Sequence, residues 1–288
     1  MSGKDSIVVQ PTGSGKSLCY QFPPVYQNKK ALVVSPTISL MNDQVNNLSL
    51  KNIKATFLGS AQLDKATEDR VFSRESAEVL IFVTPEWISK PDKRAKVKEL
   101  VDNNMLSLIA IDEAHLYHQW QEFRTSYKDL EHVKHEFPSV PILALTATAP
   151  FEVMESIKKL VRDPLISKAS VNRPNIYLAC EELQNGNDLA YFASRVVEKL
   201  GNDSTIIYTY FINSVGPIMS ELSTLNVDSV AYYGEMDVKS RSESYHKWKD
   251  GEVKVMIATT AFGMGINKSD TKHIDWECQK TCAAGHKN

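Results

Sequence analysis

Ser6-Ile7-Val8-Val9-Gln10-Pro11-Thr12-Gly13-Ser14-Gly15-Lys16-Ser17 begins as a β-branched apolar run and ends on two glycines, a lysine and a serine. The run predicts a strand over Ser6–Val9, and a helical pattern starts just beyond Ser17. Strand, glycine-bearing loop and helix in that order aim several backbone N–H groups and a helix N-terminus at one point, which is a cradle for phosphate. Thr12, Gly13, Ser14 and Gly15 would form the cradle, Lys16 would reach the β- and γ-phosphates as a point charge, and the Ser17 hydroxyl would ligate Mg2+. The full form of such a loop has glycine where Gln10 stands, so the match is to a shorter form.

Outward from this loop, strand-like and helix-like stretches alternate, the pattern of a parallel sheet wrapped by helices. Short apolar runs recur at Ala31–Ser35, Val79–Val83, Leu108–Ile111 and Ile142–Leu145, and a second series lies at Ile176–Ala179, Thr205–Tyr208, Val227–Tyr232 and Val253–Ala258. Between the two series, Arg162-Asp163-Pro164 through Asn172-Arg173-Pro174-Asn175 carries the prolines and turn formers of a boundary. The expected organisation is two α/β lobes in tandem, residues 1–168 and 169–288.

The chain has 288 residues, 42% of them hydrophobic and 24% charged, which suits a globular protein with room for two cores. A formal net charge of −2 advertises no polyanion partner at whole-chain level, so nucleic-acid binding would need a local groove. No apolar run reaches membrane-spanning length, the N-terminus lacks the layout of a secretory signal, and no membrane partner is expected. Four scattered cysteines do not make a disulfide framework. Cys278, Cys282 and His286 recur at intervals of four, but three ligands on a terminal segment make a poor site, and no zinc is expected. Lys90–Lys98 reads as a solvated helix face rather than a phosphate contact.

A triphosphate with its Mg2+ also needs a carboxylate anchor and an oriented water. Leu108-Ile109-Ala110-Ile111-Asp112-Glu113-Ala114-His115 supplies both, since a buried strand there delivers two carboxylates at its C-terminal end, where ligands of parallel sheets bind. Asp112 would hold the metal and Glu113 would orient or deprotonate the water. Alone, an acidic pair after a strand is usually a solvated loop; with the phosphate loop beside it, it reads as the acidic half of a hydrolytic site.

Asp112-Glu113-Ala114-His115 is a DEAH box, and together with Pro11–Ser17, Leu145-Thr146-Ala147-Thr148-Ala149 and Ala261-Phe262-Gly263-Met264-Gly265-Ile266-Asn267-Lys268 it resembles superfamily 2 helicases of RecQ type, the Werner-type branch in particular. Val33–Val45, Val83-Thr84-Pro85-Glu86 and Asn172–Tyr177 add to the resemblance, which runs from about Gly3 to Thr271. It implies a P-loop NTPase of two RecA-like lobes, with ATP and Mg2+ between them and single-stranded or forked DNA across both. The implied activity is ATP-dependent 3′-to-5′ unwinding of DNA in repair, replication or recombination, in the nucleus. Lys16, Asp112 and Glu113 would be catalytic; His115, Thr146, Thr148, Gly263 and Gly265 would couple hydrolysis to DNA contact, together with the aromatic-rich stretch that keeps Trp120, Phe123 and Arg124.

The chain also departs from that pattern. Trp120 and Phe123 are separated by only Gln121-Glu122 where RecQ-like proteins usually have Gly-His-Asp. Only ten residues precede Pro11, with no adenine-recognising glutamine motif, and the chain runs through Asp275–Cys282 where the family has an arginine-finger segment. The expectation is therefore a second lobe that is incomplete, weak turnover and no strand separation by this chain. Two further readings stay open: a non-catalytic protein that binds ATP and DNA, and an RNA helicase.

Overall fold

The computed structural model of the chain describes residues 3–59, 65–122, 124–170, 172, 176–177, 179, 188–200, 203–262 and 271–277. The chain divides into two compact units, Met1–Tyr177 and Leu178–Asn288, the division falling a little beyond residue 168.

The first unit carries strands β1 (Ser6–Val9), β2 (Lys30–Val34), β3 (Ala55–Leu58), β4 (Leu80–Val83), β5 (Leu106–Ile111), β6 (Ile142–Thr146) and β7 (Leu165–Lys168). Its helices are α1 (Leu18–Gln27), α2 (Ile38–Ser49), α3 (Lys65–Phe72), α4 (Pro85–Ile88), α5 (Pro91–Asp102), α6 (His115–Trp120), α7 (Leu130–Glu136) and α8 (Phe151–Lys158). The strands form one sheet in the order β3-β4-β2-β5-β6-β1-β7, with its pairings parallel. Every residue of β2, β4 and β5 is buried, as expected of strands covered by helices on both faces. Lys30 sits in β2 at no cost in unmet hydrogen bonds, because its ammonium donates to the carbonyls of Ser76 and Glu78 at 3.0 and 2.9 Å. The core between sheet and helices gathers Val8, Tyr20, Val33, Met41, Leu80 and Phe82.

The N-terminal ends of β1, β6 and β7 are tied by one buried carboxylate. Asp5 accepts from the Ile142 N–H at 2.9 Å and the Arg162 N–H at 2.7 Å, and pairs with the Arg162 guanidinium. Arg162 extends that tie by donating to the carbonyls of Pro138 and Val140.

The second unit carries β8 (Ser204–Thr209), β9 (Ser229–Tyr232), β10 (Val255–Ala258) and β11 (Thr271–Glu277), with helices α9 (Asp188–Lys199), α10 (Ile212–Thr224) and α11 (Val238–Lys249). Its sheet runs β11-β8-β10-β9, again parallel. One apolar cluster joins Ala193, Val196, Ile207, Val215, Ile218 and Leu222, and another is built on Trp248, Met256 and Phe262.

Two sequence expectations change here. Ile176 and Tyr177 are not in a strand: Tyr177 is 91% exposed, and an apolar pair without a sheet neighbour has nothing to pair with. Conversely, Leu165–Lys168, inside the expected boundary, is strand β7; its four residues are exposed on the sheet edge, so no apolar pattern announces it.

Candidate nucleotide site

The loop after β1 is shaped by its glycines. Gly13 and Gly15 stand at φ +85° and +87°, in the left-handed region, although a Cβ at either would meet open space. The requirement is therefore conformational, not steric. The turn is closed by Ser14, whose amide and hydroxyl both donate to the Pro11 carbonyl, at 3.2 and 2.7 Å. Lys16 folds back so that its ammonium donates to the carbonyls of Gln10 and Pro11 at 3.0 and 3.2 Å. Ser17 starts α1 with no side-chain cap and no acidic residue in the first turn, and Thr12 to Gly15 are exposed. The result is an open, positively polarised loop at the C-terminal edge of the sheet.

β5 brings the acidic pair to the same edge. The Asp112 N–H donates to the Val34 carbonyl and the Ala114 N–H to that of Leu145, which fixes the box between β2 and β6. Glu113 lies at φ +49°, a left-handed conformation uncommon outside glycine, and its N–H donates to Asp112 Oδ1 at 3.0 Å. Asp112 is half-buried, and loss of water together with the neighbouring Glu113 charge pushes its carboxyl up to about 6, against the Glu113 N–H and the pull of Lys16 and His115. Lys16 and Asp112 thus feel one another across the site.

His115 links this pair to the end of β6. Its Nδ1 lies 3.0 Å from Thr146 Oγ1 and 3.3 Å from Glu113 Oε2. A carboxylate can only accept, so these partners assign the proton to Nδ1. Thr146 is buried; its hydroxyl donates to the Thr148 carbonyl at 2.9 Å and accepts from the Thr148 N–H at 3.1 Å. Glu113, His115, Thr146 and Thr148 therefore form one continuous polar chain.

The aromatic-rich stretch is held separately. Trp120 meets Tyr127 edge to face at 5.8 Å, and the Arg124 guanidinium lies over both rings at 5.5 and 5.3 Å. Arg124 also grips Glu86 through Nε at 2.5 Å and Nη2 at 2.8 Å, and donates to the Pro36 carbonyl at 2.9 Å. Burial raises the Glu86 carboxyl, but Arg124 and Ser126 outweigh it and hold it down at about 2. Phe123, Gly263 and Gly265 lie outside the described residues, as do Cys278, Cys282 and His286.

Two residues near the site were not singled out from the sequence. Tyr20 is fully buried, edge-on to Phe82 at 6.2 Å; burial and the charges of Asp112 and Glu113 push its hydroxyl pKa upward. Its place one turn into α1, three residues after Ser17, was the available signal. Glu86 stands in the Val83–Glu86 motif, but only the fold shows that Arg124 is its partner.

The profile of the DEAD/DEAH box helicase family matches residues 1–157, and that of the helicase conserved C-terminal domain matches residues 188–277. The chain belongs to the DEAD/DEAH box helicases. Within that class its similarity is to helicases of RecQ type. It is 37% identical over 279 residues to the bifunctional 3′-5′ exonuclease/ATP-dependent helicase WRN of Mus musculus, covering 94% of this chain and 20% of that protein. It is 36% identical to the ATP-dependent helicase SGS1 of Saccharomyces cerevisiae, covering 95% and 20%, and 35% identical to the ATP-dependent DNA helicase RecQ of Haemophilus influenzae, covering 95% and 44%. The chain thus spans less than half the length of these curated relatives.

Among solved structures, the helicase Lhr of Mycobacterium smegmatis bound to ssDNA and AMP-PNP matches with a TM-score of 0.70 at 15% identity, covering 95% of this chain and 40% of that one. The DUF1998 helicase MrfA bound to DNA and AMPPNP matches at 0.72 and 17%, covering 97% and 46%. At those identities the likeness shows the fold: tandem RecA-like lobes with parallel sheets flanked by helices.

Proposed function

We propose that the chain is the ATP-hydrolysing core of a RecQ-type DNA helicase, working on single-stranded and forked DNA in the nucleus, with Mg2+ as the metal. The observation that carries this reading is that the exposed glycine loop after β1, with Lys16, and the carboxylates that end β5 stand at the same edge of one sheet, one strand apart. A partly desolvated carboxyl raised to about 6 suits a group whose charge a cation would meet. The Ser17 hydroxyl and Asp112 are hard oxygen donors, and Mg2+ is commonly bound by one or two carboxylates together with substrate phosphates.

When bound, the metal supplies charge neutralisation at the phosphates. Thr12, Gly13, Ser14 and Gly15 present backbone N–H groups to them, and Lys16 exchanges its two carbonyl partners for phosphate oxygens. Glu113 orients the attacking water and accepts its proton at the carboxylate. His115, Thr146 and Thr148 carry any shift of Glu113 to the end of β6, where the polar chain leaves the site. Arg124, Trp120 and Phe123 couple this unit to DNA; Arg124 reaches a phosphate only by giving up Glu86. Gly263 and Gly265 are assigned to coupling on the motif alone.

The test is ATP turnover by the purified chain with single-stranded DNA, single-stranded RNA or neither. Stimulation by DNA above RNA, lost in Glu113→Gln with nucleotide affinity retained, is the expected result. Equal stimulation by RNA would favour an RNA helicase, and unchanged turnover in Glu113→Gln would remove Glu113 from the mechanism.

A further inference from the structure

Ser17-Leu18-Cys19-Tyr20 sets a tyrosine one helical turn beyond the serine that closes the glycine loop. Side chains of a helix lean toward its N-terminus, so the ring at position 20 lies back along α1 toward Ser17. Tyr20 is fully buried and belongs to the apolar cluster of Val8, Val33, Phe82 and Ala110. Its hydroxyl is out of keeping with that setting. The oxygen is shut off from water and makes no hydrogen bond among the described residues. The Ser17 and Gln21 side chains are near enough to act on it, as are the charges of Asp112 and Glu113, but none is aligned as a partner.

An unmet buried hydroxyl destabilises the fold that holds it, whereas the same ring without the oxygen would keep the packing. Packing alone therefore gives no reason for a tyrosine at this place. What surrounds the oxygen does, because it is the edge of the nucleotide site. Of the neighbours, Gln21 is turned away, its Nε2 donating to Gln44 Oε1 at 3.4 Å. Asp112 already accepts from the Glu113 N–H. Ser17 does not cap α1 with its side chain, so its oxygen is not committed to the backbone. A serine oxygen has two lone pairs, and one given to a cation leaves the other for a donor. The Tyr20 and Gln21 amides both donate to the Ser17 carbonyl, at 3.2 and 3.1 Å, so Ser17 and Tyr20 share one fixed turn. A contact between their hydroxyls asks for side-chain rotation, with no shift of backbone.

We propose that the Tyr20 hydroxyl is a positioning group for the metal of the nucleotide site: it donates to Ser17 Oγ and holds that oxygen's other lone pair on the cation. The proposal rests on the nucleotide-site reading above and deepens it, by placing behind the metal ligand a residue that touches neither metal nor nucleotide. Binding of the metal then meets a hydroxyl that the fold alone leaves unmet. Partners that orient a metal ligand in this way matter nearly as much as the ligand itself.

The test compares the full chain as wild type, Tyr20→Phe, Ser17→Ala and the double variant, with a fluorescent ATP analogue and Mg2+ as probes. Melted without nucleotide or metal, Tyr20→Phe is expected to unfold at a temperature no lower than wild type, because it loses only the unmet oxygen. In a Mg2+ titration of analogue binding it should need about tenfold more metal, the low end of the range for losing a residue that orients a ligand, with unchanged affinity for the analogue in chelator. Added to Ser17→Ala, the same substitution should change nothing further, since the hydroxyl acts through that oxygen. A lower melting temperature, or an equal loss with metal and with chelator, would mean that Tyr20 merely packs and would overturn the assignment. So would an unmoved Mg2+ requirement, or a tenfold loss that persists in Ser17→Ala. In each of these cases Mg2+-dependent binding by wild type leaves the nucleotide-site reading standing; if wild type shows no metal dependence, that reading and the role of Tyr20 fall together.

Discussion

Folding strips water from the Asp112 carboxyl and sets the Glu113 charge beside it. Its pKa of about 6 means that the native chain holds a proton that the unfolded chain has released, between the ordinary carboxylate range and that value. Stability therefore falls as pH rises through this window, and the penalty persists above it. Asp112→Asn keeps the shape and the acceptor for the Glu113 N–H but removes the charge. The variant is expected to stabilise the metal-free first unit at pH 7 by up to about 3 kcal/mol, since each tenfold change in proton affinity corresponds to about 1.4 kcal/mol, while losing ATP turnover. Urea denaturation of both proteins at pH 7 and pH 5 checks this, with the difference shrinking at the lower pH. Gly15 makes the complementary point about backbone. At φ +87° an alanine fits the space but not the conformation, so Gly15→Ala is expected to cost nucleotide affinity measured by titration calorimetry without creating a clash.

At the scale of elements, α4 and the segment after α6 are joined through Glu86 and Arg124. The Glu86 carboxyl is held down at about 2, so its contribution is fully present above the unfolded carboxylate value of about 4.3 and is lost as pH falls toward about 2. Glu86 is about half exposed, so solvent screening keeps the contribution small. Glu86→Gln should flatten the acid limb of the stability curve in that window, and an unchanged limb would show that the pair does not hold the segment. The glycine loop after β1, the acidic strand end and the strands of the first sheet's interior were legible because each is written locally, as glycines, carboxylates and continuous apolar runs. The Glu86–Arg124 pair was not, since a residue in α4 and one after α6 meet only through the fold. The positive φ of Glu113 was equally hidden, because nothing in Asp-Glu-Ala-His demands it.

At the scale of the whole chain, each unit has its own sheet and its own apolar clusters, which is why two tandem α/β series are legible in the sequence. What escaped were β3, β7 and β11, all at sheet edges, with β3 only partly buried and β7 exposed. β7 owes its place to pairing with β1 and to Asp5, not to its own sequence. Asp5→Ala leaves the Ile142 and Arg162 amides without their partner and should cost about 1–3 kcal/mol for each buried donor left unmet. Hydrogen exchange should then accelerate first in β1, β6 and β7, and even exchange across the sheet would contradict that assignment.

Above all, the loop after β1 and the acidic end of β5 are taken to form one metal-dependent nucleotide site. Binding of a fluorescent ATP analogue to the purified chain, with Mg2+ or with a chelator, tests this most directly in wild type, Lys16→Ala and Asp112→Asn. Wild type is expected to bind tightly and to need the metal, Lys16→Ala to lose at least about tenfold in affinity, roughly the worth of one charge-assisted contact, and Asp112→Asn to lose the metal dependence. Binding that ignores both the metal and the removal of Lys16 would contradict a shared site.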